Sequence, residues 1–94
     1  MKWLEIIELR SIGSNRKLFE SQLETLINEV HTETKNQAFK FYSHAVLDTD
    51  FCIHLCHDSR KVENSGSRLG LRLVTALREF GLVNHSIWIE KHSN

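Results

Sequence analysis

A helical repeat set between extended stretches most constrains how this chain can fold. In residues 16–31, Leu18, Phe19, Leu23, Leu26, Ile27 and Val30 recur at the spacing of one helix face. Ser14 or Asn15, in the preceding "SIGSN", supplies the expected N-cap. Residues 3–10, "WLEIIELR", read as a strand, although Glu5 and Glu8 interrupt its alternation. Residues 38–47, "AFKFYSHAVL", and 51–57, "FCIHLCH", read as two strands around a "DTD" turn. A second helix is expected at about residues 67–80, with Leu69, Leu73, Ala76, Leu77 and Phe80 inward and Gly81 as its C′ residue. Residues 86–91, "SIWIEK", complete the series as a last strand.

The order β-α-β-β-α-β, closed by right-handed crossovers, gives an α+β fold of the ferredoxin-like kind. Four antiparallel strands are expected in spatial order 4-1-3-2, with both helices on one face. The 94 residues, with no proline, repeat or linker, are read as a single domain over 1–94.

Alternation along a strand then decides where the chemistry-bearing side chains point. In the third strand Phe51, Ile53 and Leu55 make the better core. Cys52, His54 and Cys56 should therefore face the open side of the sheet, with His57 a boundary residue at the strand end. A hairpin symmetric about Thr49 places His44 opposite His54, Val46 opposite Cys52 and Tyr42 opposite Cys56. In the last strand Ile87 and Ile89 pair with the core, leaving Trp88 and Glu90 on the open face. The first strand fits either orientation, and the open face is expected to take Trp3 and Ile7.

Lys plus Arg and Asp plus Glu number 12 each, so no net field recruits nucleic acid or an anionic membrane. No apolar run approaches the roughly 20 residues that span a bilayer. Two cysteines and no secretory leader suit free thiols in the cytoplasm. Cys52 and Cys56 lie four strand residues apart, about 13 Å at ~3.3 Å per residue. They can neither form a disulfide nor readily share an ion, so no metal site is assigned. The residues "NSGSRLGLR", 64–72, could hold an anion at a helix N-terminus beside Arg68 and Arg72, but ordinary capping is the simpler expectation. Gly70 should permit close helix packing.

In element order, length and an aromatic, histidine-lined open face, residues 3–91 resemble the dimeric α+β barrel superfamily, which includes antibiotic-biosynthesis-monooxygenase-like proteins. The resemblance implies sheet-to-sheet dimers and a pocket for aromatic, quinone-like or haem ligands. It transfers no catalytic motif and names no cofactor. The expectation is a small cytoplasmic homodimer that binds an apolar or aromatic small molecule near the open face. His44 and His54 are its acid/base candidates, and Tyr42, Cys52, Cys56, Trp88 and Glu90 line the ligand. One alternative is a non-enzymatic interaction or regulatory module whose sheet face is a dimer interface. Another is a His/Cys metal-binding protein.

Overall fold

A computed structural model describes residues 1–12, 16–33 and 38–91. The Ser14 or Asn15 cap lies outside them. The elements are β1 (Lys2–Ser11), α1 (Arg16–Glu33), β2 (Ala38–Ser43), β3 (Asp50–Asp58), α2 (Arg68–Leu77) and β4 (Gly81–Ile89). The strands form one antiparallel sheet in the order β2-β3-β1-β4, the ferredoxin-like arrangement expected.

Core side chains from both helices meet one face of the sheet. Leu23 and Val30 of α1 and Leu73, Val74 and Leu77 of α2 pack on Ile7, Leu9, Ile53 and Leu55. Phe19 bridges α1 to the sheet and to the turn after α2, its ring centroid 5.5 Å from Phe51 and 5.1 Å from Phe80.

The pairing register settles the orientation of β1. Ile7 lies opposite Ile53, Leu9 opposite Phe51 and Glu5 opposite Leu55, and directly opposed residues share a face. Trp3 and Ile7 are therefore buried beneath the helices, not displayed on the open face. Leu4 and Ile6 take that position instead. What masked the alternation is Glu5, an acid on the core side of the strand.

The hairpin also departs from the symmetric expectation. Strand β2 ends at Ser43, and residues 44–49 form the turn. Tyr42 consequently pairs with Cys52, Lys40 with His54 and Ala38 with Cys56. His44 is not opposite His54, and Val46 is not opposite Cys52. The cause is local. His44 Nδ1 accepts the main-chain N–H groups of Val46 (3.0 Å) and Leu47 (2.9 Å), which ends the strand and caps the turn.

Helix α2 is shorter than expected. Ser67 is its N-cap, with Oγ accepting from Gly70 N–H at 3.0 Å, and Arg78 its C-cap. Gly81 does not serve as the C′ residue. It opens β4, opposite Ser11, where an added Cβ would overlap the Arg10 carbonyl. That close approach lets β4 begin five residues before the expected 86 and pair along the length of β1. Ile89, expected in the core, lies at the sheet end and is 41% exposed.

Candidate functional site

The sheet face opposite the helices carries Leu4, Ile6, Glu8 and Arg10 from β1 and Cys52, His54 and Cys56 from β3, with Tyr42 and Trp88 on the flanking strands. Two shallow hollows divide it. The first, about 580 Å³, is the more apolar and is bordered by Lys2, Leu4, Cys56, Asp58, Trp88 and Glu90, with Trp3, His57 and Ile89 completing its lining. The second, about 380 Å³, lies at the hairpin end and is bordered by Glu8, Arg10, Tyr42, His44, Asp50 and Cys52 among others. Its polar groups are largely committed to one another. Arg10 forks onto both oxygens of Asp50 (3.2 and 3.1 Å), and Asn84 donates to Glu8 at 3.3 Å. Arg10 first, then Thr49, holds the Asp50 carboxyl below its ordinary range.

The seven expected site residues are therefore split. Cys56, Trp88 and Glu90 border the apolar hollow, while Tyr42, His44 and Cys52 border the polar one. His54 stands between them, its ring meeting the Tyr42 ring edge-on at 4.9 Å. The indole of Trp88 is 59% exposed, with its N–H donated to Ser86 Oγ at 2.9 Å. The two candidate acid/base histidines do not meet as a cross-strand pair, and His44 is engaged as a turn cap.

Sequence reasoning missed a denser polar cluster on the other side of the sheet. Glu5, 0% exposed, is held from three directions. Its Oε1 accepts from His57 Nε2 (2.7 Å) and from the main-chain N–H of Ser67 (3.1 Å), and its Oε2 accepts from His85 Nε2 (2.8 Å). Burial pushes this carboxyl up. The bonds from Ser67, His85 and His57 push it down further, and the net position lies below the ordinary 4.5. An ionised carboxylate only accepts, so both Nε2 atoms carry hydrogen. His57 is buried, not a boundary residue, and its ring stacks on Trp3 at 4.0 Å.

The start of α2 carries the ordinary cap expected, from Ser67, and the carboxylate beside it is the protein's own Glu5. Gly70 and Gly66 make room for it. A Cβ at Gly70 would overlap the Glu5 carboxylate, and one at Gly66, whose φ is 105°, would overlap the His85 ring. The available signal was the parity His57 shares with Phe51, Ile53 and Leu55, which sets a polar residue on the core side. Three polar residues on core positions of three strands call for one another.

No known family model matches the chain, and no curated protein matches it. Among solved structures it is similar to Rv0793 from Mycobacterium tuberculosis, with a TM-score of 0.67 over 99% of this chain and 98% of that one. Their sequences are 15% identical. That likeness carries the fold alone.

The thiols of the open face differ in readiness. Burial, and then the nearby charge of Glu8, raises the Cys52 thiol above its ordinary value, which opposes a nucleophilic role at neutral pH. Cys56 is exposed. On the exposure of the two thiols, Cys56 should react with a maleimide about tenfold faster than Cys52. Peptide mass mapping reads the order, and equal rates would contradict it. Among the described residues no three His, Cys, Asp or Glu side chains are arranged to hold a metal ion. None of their helices is long and apolar enough to cross a membrane.

Proposed function

We propose that this chain is a small cytoplasmic homodimer whose open sheet face binds an apolar or aromatic small molecule in the hollow beside Trp88. The observation that carries it is the solvent-exposed indole standing next to Leu4 and Cys56 at a hollow of about 580 Å³. That volume falls within the range of about 300–1,000 Å³ common to small-molecule sites. Lys2 and Glu90 at its border offer charged groups to orient a ligand. Of the two candidate histidines, His54 stands between the hollows and would meet only a molecule that extends beyond the Trp88 hollow, while His44 is engaged in the turn. The free state of both cysteines agrees with a reducing compartment.

A second copy is the natural cover for the rest of the face. Leu4 and Ile6 are only half-buried, and Tyr42, Leu82 and Trp88 are exposed, too much apolar surface for one sheet to leave in water.

Fluorescence titration with anilinonaphthalenesulfonate, paired with sedimentation velocity, tests both parts. Trp88→Ala should weaken probe binding about tenfold, roughly the worth of one buried aromatic contact, while Tyr42→Ala at the other hollow leaves it unchanged. Ile6→Asp should convert dimer to monomer. Equal binding by Trp88→Ala sinks the ligand site. A dimer that binds no probe and shields Cys56 favours a sealed protein interface instead.

A further inference from the structure

The tip of the β2–β3 hairpin is held by an imidazole acting as acceptor. His44 Nδ1 takes two main-chain N–H groups at once, from Val46 and Leu47, and it can do so only while its lone pair is free. A proton at that nitrogen turns the acceptor into a donor facing two donors. The stem on either side is anchored independently. Asp50 N–H donates to the Leu47 carbonyl (3.2 Å) and His44 N–H to the Asp50 carbonyl (2.9 Å). Ser11 donates both its N–H (2.8 Å) and its hydroxyl (2.9 Å) to the Thr49 carbonyl. Loss of the two imidazole bonds would therefore act on the residues between these anchors. Val46, 83% exposed, lies between these anchors, and Leu47, 45% exposed, would then be held only through its carbonyl.

We propose that the hairpin tip is a proton-operated latch: uncharged His44 keeps the Val46–Leu47 segment turned back onto its own ring, and protonation of Nδ1 releases it. Because His44 also borders that hollow, with Tyr42 and Cys52, release changes the shape of one end of the open face. The charged groups around the ring act in both directions. The Asp50 carboxylate of β3 favours a cation there, and Glu8 of β1 lies in the same hollow. Arg10 of β1, forked onto Asp50, opposes it. Asp48 sits within the tip, and Tyr42 of β2 borders the hollow. Among the described residues the lining comes from strands and hairpin. The latch does not depend on what the Trp88 hollow binds.

Amide hydrogen exchange, corrected for intrinsic rates, tests it between about pH 8 and about pH 5, where imidazoles take up a proton. In the wild type, protection at Val46 and Leu47 should fall by about tenfold on acidification, the scale of a lost hydrogen bond. His44→Asn, whose side-chain oxygen can accept the same amides without titrating, should keep protection level across the range. His44→Ala should lack it at both ends. Leu73 in α2 serves as the folding control and should be unmoved in all three proteins. Unchanged wild-type protection, an acid loss that persists in His44→Asn, or full protection in His44→Ala would each overturn the latch.

Discussion

Replacing Glu5 with leucine lowers the free energy of unfolding by about 3–5 kcal/mol, because it strands the polar groups of His57, His85 and Ser67 in a dry interior. Glu5→Gln is milder, about 1–2 kcal/mol. Its oxygen still accepts from His57 and Ser67, and its amide can face His85 once that ring changes tautomer. Urea denaturation measures both, and a leucine variant within about 1 kcal/mol of wild type would show the cluster to be dispensable. The pH dependence has a definite sign. Glu5 is depressed in the folded state, so its contribution is complete above the ordinary 4.5 and is lost as pH falls through the lower folded value. Wild-type stability should therefore decline on the acid side of 4.5, and Glu5→Gln should flatten that decline.

Gly70→Ala sets two effects against each other. Alanine in a helix interior is favoured over glycine by about 1 kcal/mol. Here the added methyl would enter the space of a carboxylate fixed by three hydrogen bonds, so the net result is a loss of about 2–3 kcal/mol. The decisive comparison is a double-mutant cycle with Glu5→Ala. Removing the carboxylate makes room for the methyl, and most of the Gly70→Ala penalty should vanish in that background. An equal penalty in both backgrounds would place its cause elsewhere.

Much of the fold could be read from the chain because its strongest signals are local. The 16–31 helical repeat, the parity of Phe51, Ile53 and Leu55, and the alternation of helices and strands each depend on near neighbours. The β1 orientation was not legible, since Glu5 breaks the pattern that would reveal it and becomes acceptable only when residues 57, 67 and 85 arrive. The hairpin register failed for a different reason. "SHAVL" has the composition of a strand, and one histidine ring nitrogen diverts it into a turn. On the open face, the outward set Cys52, His54 and Cys56 was correctly placed by parity alone. Their grouping into one site was not, because it relied on the mistaken register.

The Glu5 carboxylate gathers partners 52, 62 and 80 residues away along the chain. Such closures are expected to come after nearby segments have formed, since each must first overcome the entropy of a long loop. Disturbing the cluster should leave the refolding rate almost untouched and show itself in faster unfolding. The lifetime of the native state, more than the speed of reaching it, is what this one acid should control.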